Sequence, residues 1–199
     1  MENEKHFLGI DTGLSGGLSI INSDLKIVRT EKMPKAKNEA LGNHVSAKIL
    51  YLFFKDIFDQ YRNLDVMIEQ VSPFAIGSKK AAFSFGANFS LIIYILEILN
   101  KPYSTCNPNK KGWQMNIWKE KDMVYYGKKK DTKATTLNAL TRIFDEKDIK
   151  QSINYRMSPK GNEIFDDGIL DSIGIAFYGY TIANGSKTKE TRNNTNFNL

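Results

Sequence analysis

The chain has 199 residues, of which 41% are hydrophobic, so it is long enough to bury the core of one domain. Lysine and arginine outnumber aspartate and glutamate by 28 to 22, and the formal net charge of +6 favours a polyanionic partner, nucleic acid before an anionic membrane surface. An AT-rich genome would also raise the lysine count without any function. The single cysteine excludes an internal disulfide and a zinc cluster, and the two distant histidines argue against a histidine-based metal site.

The sequence gives no sign of export or of membrane insertion. No uninterrupted apolar run of 18 residues exists, and the N-terminal sequence MENEKHF is too polar for a signal peptide. We therefore expect a soluble, intracellular protein without a membrane partner.

The N-terminal part of the chain predicts three short strands joined by turns. The strands are residues 7–10, 17–21 and 26–32. A glycine-rich turn, residues 11–16, separates the first two, and residues 22–24 form a plausible hairpin turn between the second and third. The polar residues 33–41 predict a mobile loop.

Helices and strands alternate in the middle of the chain. Asn43 is a reasonable N-cap for a helix in which apolar residues recur at helical spacing: Val45, Ile49, Phe53, Ile57 and Tyr61. Residues 65–68 then predict a strand that ends in Glu69. Residues 79–99 predict a long helix with a very apolar second half, and residues 103–107 predict a fifth strand.

The C-terminal part predicts helices separated by polar segments. The predicted helices are residues 108–121, 135–144 and 165–180, the first of them carrying Trp113 and Trp118. Residues 125–133 predict a lysine-rich loop, and residues 146–163 predict an irregular segment. Residues 185–199 are polar and predict a disordered tail, which leaves residues 1–184 as one domain. The order of elements indicates a mixed α/β fold with a central five-stranded sheet flanked by helices.

Four acids border or interrupt apolar segments, where an ionised side chain is costly unless a cation or hydrogen bonds compensate it. They are Asp11 in FLGIDTGLSGGLSII, Glu69 in VMIEQ, and Asp167 and Asp171 in FDDGILDSIGIAFYG. Neighbouring parallel strands would place the first two side by side, because ligand sites of α/β sheets lie at the carboxyl ends of strands. The last two are four residues apart, so they share a helix face about 6 Å apart along the axis.

Such an all-oxygen set is typical of hard divalent cations, and Mg²⁺ is the usual occupant. We predict two cations about 3.5–4 Å apart, one activating water and the other stabilising the leaving 3′ oxygen of a phosphate backbone. Each acid also has an ordinary interpretation as a strand-end turn, a surface acid or a helix cap, and Asp166 is the predicted N-cap of the last helix. The glycines at 13, 16 and 17 fit no nucleotide-binding motif, and a tight turn with close strand packing explains them equally well.

The segments GIDTGLSGGLSI, IEQ and DDGILDSIGIAFYG resemble RuvC-type Holliday-junction resolvases of the RNase H-like superfamily, in particular their phage and chloroplast branch. The resemblance covers roughly residues 7–181, and the family's FNFG-like segment is matched by FSFG at residues 83–86. Two positions depart from the family pattern. Thr12 stands where proline is usual, and Asp167 stands where the chloroplast branch often has histidine, so Asp167 is interpreted as either a metal ligand or a proton acceptor, and Asp166 stays an alternative ligand.

The resemblance implies an RNase H-like fold and a homodimer that binds four-way DNA junctions and nicks two strands symmetrically. It assigns the metal-binding and catalytic positions to Asp11, Glu69, Asp167 and Asp171, with two Mg²⁺ ions per site and Mn²⁺ as a substitute. It implies DNA contacts for Phe74, Lys79, Lys80, Lys128, Lys129, Lys130 and Lys133. The absence of a transit peptide favours the cytoplasm of a bacterium or a phage-infected cell.

Each implied role has an ordinary counterpart. The helix at residues 79–99 would form the dimer interface or pack in the core, Phe74 would stack on a junction base or anchor its loop, and the lysines would contact phosphates or line a solvated loop. Trp113 is predicted to lie in the core rather than contact DNA. One rival function keeps the fold and changes the substrate to a flap, a branched DNA or an RNA·DNA hybrid. The others are an inactive DNA-binding protein and an actin-like ATPase, and an ATPase of that kind needs two lobes, of which 199 residues supply only one.

Overall fold

The structure is a computed structural model that describes residues 4–39, 42–70, 78–108 and 112–185. The strands are β1 (His6–Ile10), β2 (Gly17–Asn22), β3 (Ile27–Lys32), β4 (Lys35–Asn38), β5 (Gly42–Val45), β6 (Leu64–Glu69), β7 (Ser104–Cys106), β8 (Tyr125–Tyr126), β9 (Lys129–Lys130), β10 (Arg156–Met157) and β11 (Glu163–Ile164). The α-helices are α1 (Ala47–Gln60), α2 (Lys79–Ile98), α3 (Trp113–Ile117), α4 (Thr132–Thr141), α5 (Glu146–Ser152) and α6 (Asp167–Ala183).

The main sheet has five strands in the order β3-β2-β1-β6-β7. The pairs β1–β2 and β2–β3 are antiparallel, whereas β1–β6 and β6–β7 are parallel. Every residue of β1 and β2 is buried, because helices cover both faces of the sheet. The mixed five-stranded α/β sheet predicted from the sequence is therefore confirmed.

The alternation of side chains along β1 separates two hydrophobic cores. Phe7 packs on one face, in a core that includes α3, α4 and α6, and Leu8 packs on the other face against α1 and α2. Trp113 is fully buried in the first of these cores, as predicted.

Two glycine contacts bring α6 unusually close to the sheet. A Cβ on Gly9 of β1 would stand 2.1 Å from the backbone oxygen of Ser172, and a Cβ on Gly168 would stand 2.2 Å from that of Ser15. Gly16 and Gly168 also form an isolated parallel bridge. The start of α6 consequently lies directly against the turn that follows β1, and the tight turn and close packing expected of the N-terminal glycines are present.

The segment before α1 differs from the prediction. Residues 35–38 are not a loop but pair with Gly42–Val45 in a hairpin, so Asn43 lies in a strand and is not an N-cap. The N-cap is Ser46, whose hydroxyl accepts the amide N–H of Ile49. Because Val45 belongs to the strand, the apolar face predicted by counting from it is not the face that α1 buries. Ile49 is 51% exposed, and the buried residues of α1 are Leu50, Phe54, Ile57 and Phe58.

Two further polar segments are more ordered than predicted. The lysine-rich residues 125–130 form the β8–β9 hairpin around Gly127, whose φ of +59° favours glycine. Residues 146–163 contain α5, which the Asp145 carboxylate caps through the amide N–H groups of Lys147 and Asp148, and the first strand of the β10–β11 hairpin. The helix predicted at 135–144 begins earlier, at Thr132, because Asp131 caps it, and α3 ends at Ile117, before Trp118.

Helix α2 agrees with its predicted bounds, but only four of its 20 residues are buried. Its buried residues are Asn88, Ile92, Ile95 and Leu96, while Phe83, Tyr94 and Ile98 are 77%, 60% and 73% exposed. By length and composition alone, this 20-residue helix could cross a membrane, since an 18-residue window has a mean hydropathy of 1.6. It is the one such helix among the described residues, and its buried side packs into the core shared with α1. The intracellular location predicted from the sequence stays a prediction.

Candidate active site

Two acids lie side by side at the carboxyl ends of adjacent parallel strands. Ile10 of β1 pairs with Ile68 of β6, so Asp11 and Glu69 follow at equivalent positions. The Thr12 hydroxyl donates to the backbone oxygen of Glu69 at 3.2 Å and ties the two strand ends together. This is the arrangement expected from the strand pattern.

The other two acids come from the first turns of α6. Asp167 is the first residue of the helix, and Asp171 follows one turn later on the same face. The hydroxyls of Ser172 and Ser19 form a hydrogen bond of 2.5 Å between α6 and β2, and Gly9 removes the side chain that would otherwise separate α6 from β1. The helix therefore brings its two acids to the end of the sheet that carries Asp11.

Burial and neighbouring like charges raise the pKa values of three of the four carboxyl groups. Burial raises the pKa of Asp11 to about 6, with the charge of Asp167 adding to the effect. Burial and then the Asp11 charge raise the pKa of Glu69 to about 7. Burial raises the pKa of Asp171 well above its ordinary value, and the charges of the other three acids raise it further. Burial, and to a lesser extent the like charges, thus destabilise the ionised forms of these three acids, and a bound cation would relieve both effects.

Each of three carboxylates is engaged by a donor of its own. The Gly13 amide donates to Asp11 Oδ1 at 3.0 Å, the indole Nε1 of Trp113 donates to Glu69 Oε1 at 2.7 Å, and Lys133 forms an ion pair with Asp167. Within the described ranges, no group of three or more acid, histidine or cysteine side chains has the spacing of a formed metal site. The acids converge on one end of the sheet without yet forming a coordination cage.

The chemistry of this donor set fits a hard divalent cation. All four candidate ligands are carboxylates, and histidine and cysteine, which softer metals prefer, take no part. Three of the four have raised pKa values, so a divalent cation would gain from their ionisation and remove their mutual repulsion. Asp11, Glu69, Asp167 and Asp171 are therefore the residues that could hold Mg²⁺ or Mn²⁺.

Asp166 belongs to a separate set of contacts. It precedes α6 at the N-cap position, and its carboxylate accepts from Lys32 Nζ at 2.7 Å and from Asn154 Nδ2 at 2.5 Å. Burial opposes its ionisation, but these hydrogen bonds outweigh burial and lower its pKa. The predicted N-cap position of Asp166 is confirmed, and its two donors make it a weaker candidate ligand than Asp167.

The candidate DNA-binding lysines occupy two places. Lys79 and Lys80 are exposed in the first turn of α2. The others lie on the β8–β9 hairpin and at the start of α4, where Lys133 connects this basic segment to the acids through Asp167. The Lys130 ammonium lies 5.0 Å from the centre of the Trp118 ring, so it is partly held against the protein. Phe74 lies outside the described residues, as does the tail from residue 186 onward.

Sequence reasoning missed the hydrogen bond between Trp113 and Glu69. The two residues are 44 positions apart, and the strand and helix patterns give no sign of a contact at that separation. A fully buried tryptophan needs an acceptor for its indole N–H, and a buried carboxylate needs donors, so these two requirements were the available signal.

Comparisons with known proteins establish the fold. No model of a known protein family matches the chain, and no curated protein matches its sequence. Among solved structures, T. thermophilus RuvC in complex with a Holliday junction substrate is similar, with a TM-score of 0.52 and 12% identity over 91% of this chain and 96% of that chain. A second Thermus thermophilus RuvC structure has a TM-score of 0.51 and 13% identity over 90% and 96% of the two chains. The chain therefore has the RNase H-like fold of RuvC, as its sequence motifs implied.

Proposed function

We propose that this chain is a metal-dependent endonuclease that resolves four-way DNA junctions by paired, symmetric nicks. The observation that carries the proposal is the convergence of four acids at the carboxyl end of β1 and β6, on a fold shared with a protein that binds a Holliday junction. A basic chain with an acidic centre suits hydrolysis of a phosphate backbone, because lysines can hold the substrate while the acids hold cations.

Asp11, Glu69, Asp167 and Asp171 would hold the two Mg²⁺ ions. When bound, these ions would supply an activated water and stabilise the leaving 3′ oxygen of the cleaved phosphodiester. Asp167 has a second candidate role as proton acceptor, because its side chain is 40% exposed and water can reach its carboxylate.

The protein's own cations would bind and orient the DNA. Lys133 pairs with an acid of the centre, so a scissile phosphate near the acids would lie within its reach. Lys128, Lys129 and Lys130 continue this positive charge along the exposed hairpin and would contact the phosphates of the same arm. Lys79, Lys80 and Phe74 stay candidates for contacts nearer the junction centre.

A homodimer would explain why two nicks are paired. The exposed apolar residues of α2 provide a face for a second copy of the chain, and a two-fold assembly presents two acid centres to a junction that is itself two-fold. One side of α2 packs in the core, and its exposed side supports the proposed role as a dimer interface.

The test is nicking of a synthetic, immobile four-way junction with Mg²⁺, beside linear duplex, flap and RNA·DNA-hybrid controls. We expect symmetric nicks on the junction, and Asp171→Asn should lower cleavage by at least about 100-fold while leaving junction affinity within about threefold, since the acids hold metal rather than DNA. The matched control is Asp59→Asn, an exposed acid on α1, which should cleave like wild type.

Each other outcome has a definite meaning. Cleavage of the flap or hybrid in place of the junction would support the acid centre as the active site but contradict the four-way junction as the substrate. Near-wild-type cleavage by Asp171→Asn would remove that residue from the ligand set. ATP binding by the protein would favour the actin-like ATPase, and we expect none.

A further inference from the structure

We propose that Trp113 is a positioning residue, whose indole N–H fixes the Glu69 carboxylate in the orientation that receives a divalent cation. This inference rests on the metal-dependent activity proposed above and names a residue of this chain that prepares the acid centre. Trp113 is fully buried, so it would act only through Glu69.

The contact is short and buried, and only Trp113 can be its donor. Trp113 Nε1 lies 2.7 Å from Glu69 Oε1, with the tryptophan fully buried and Glu69 7% exposed. An indole nitrogen donates and cannot accept, so the partner must be a carboxylate oxygen that accepts. The bond fixes the rotation of the carboxylate and leaves its second oxygen available as a ligand. A hydrogen bond to a ligand carboxylate is what orients many metal centres.

The indole ring itself has little freedom to move. Trp113 opens α3, and its backbone N–H donates to the Asn107 oxygen at 2.9 Å, just past the end of β7. On its other side, the ring lies against α6: a Cβ on Gly174 would stand 2.6 Å from ring atom Cζ3. Gly174 is three residues beyond Asp171, so one rigid side chain connects the helix that carries two acids with the strand that carries Glu69.

The second tryptophan provides an internal control. Trp118 is also buried, at 8% exposure, but its Nε1 donates to the Thr136 hydroxyl at 3.3 Å and not to an acid. Replacing either tryptophan by phenylalanine keeps an aromatic ring in the core and removes one N–H donor. The two variants therefore share a packing cost and differ in whether a candidate metal ligand loses its hydrogen bond.

The experiment is titration of the DNA-free protein with Mn²⁺ by calorimetry, comparing wild type, Trp113→Phe and Trp118→Phe. We expect Trp113→Phe to weaken Mn²⁺ binding by about 10- to 100-fold and Trp118→Phe to bind like wild type. In a Glu69→Gln background, Trp113→Phe should have no further effect, because its influence passes through Glu69. Wild-type affinity in Trp113→Phe, or an equal loss in both single variants, would overturn the inference.

A second readout does not depend on how well Trp113→Phe folds. In Trp118→Phe, Trp113 is the only tryptophan, so its fluorescence reports on the contact with Glu69. We expect Mn²⁺ to quench and Mg²⁺ to change this emission over the concentration range in which calorimetry detects binding, and constant emission over that range would overturn the inference. A wild-type protein that binds Mn²⁺ but leaves junctions uncut would contradict the proposed function alone.

Discussion

At the scale of single residues, ionisation of the buried acids lowers the free energy of unfolding, and this effect depends on pH. Asp11 and Glu69 have pKa values of about 6 and about 7 in the folded protein, against ordinary values of 3.8 and 4.5. Between about pH 4 and pH 7 the folded state therefore binds more protons than the unfolded state, and stability decreases as the pH rises through this range. The cost is about 3 kcal/mol for each acid.

We expect the thermal unfolding midpoint of the protein in EDTA to fall between pH 4 and pH 7, and Asp11→Asn to flatten this dependence. Asn keeps the size of the side chain and accepts the Gly13 amide, but it cannot ionise. Thermal melts at half-unit pH intervals measure the effect, and Asp59→Asn on the exposed face of α1 should keep the wild-type slope. A midpoint that rises from pH 4 to pH 7 would show that the acids are not destabilised by burial.

At the scale of elements, the site depends on how closely α6 approaches β1. The residue that permits this approach is Gly9, where a Cβ would overlap the backbone of Ser172 and Ala176. Backbone atoms cannot rotate away as a side chain can, so a methyl group here must push the whole helix outward. That movement would carry Asp167 and Asp171 away from Asp11.

We expect Gly9→Ala to destabilise the protein by about 3 kcal/mol or more and to abolish junction cleavage. The matched control is Gly179→Ala on α6, where the new Cβ would lie 3.4 Å from Met67 Cβ, an ordinary contact. This control should be neutral or stabilise the helix by up to about 1 kcal/mol. Denaturant unfolding measures both variants, and equal stability of the two would mean that α6 does not need its present distance from β1.

The elements that could be predicted are those with a long local signal. The apolar runs of β1, β2 and β6 and the 20 residues of α2 were recognisable from pattern alone. The hairpins β8–β9 and β10–β11 have strands of two residues, too short for any periodicity, so their polar sequences were interpreted as loops. Val45 misled the prediction of α1 because a buried strand residue falls at helical spacing from Ile49.

The candidate site could be predicted in part, for a similar reason. A carboxylate in an apolar segment is conspicuous in the sequence, so the positions of the four candidate acids, two after adjacent strands and two on one helix, could be predicted. Their donors are distant in sequence: Trp113 comes from α3 and Lys133 from α4. Such contacts depend on how elements pack, and no local pattern encodes them.

At the scale of the whole molecule, four acids lie together at one end of the sheet, and lysines lie on the elements around them. The chain has an excess of cations, and two of them, Lys32 and Lys133, lie against the start of α6 and form ion pairs with Asp166 and Asp167. Divalent cations bound at the centre would reduce the repulsion between its acids and a polyanion held by the lysines. Acids that could hold cations beside exposed lysines support the proposed nuclease over a protein that binds DNA without cutting it.

The exposed apolar side of α2 is the surface proposed to bind a second copy of the chain. Phe83, Tyr94 and Ile98 expose aromatic and aliphatic surface along a helix of 20 residues, and exposed apolar surface of this kind marks an association site. We expect wild type to sediment as a dimer and Ile98→Glu to sediment as a monomer, because a charge buried at an interface without a partner is costly. Val28→Glu on β3, which replaces an apolar side chain that is 40% exposed, is the matched control and should stay dimeric.

With four-way junctions, the monomeric variant should lose the paired nicks while its acid centre still binds Mn²⁺. A wild-type monomer that makes symmetric paired nicks would contradict the role of α2, and a dimer that survives Ile98→Glu would place the interface elsewhere on the molecule.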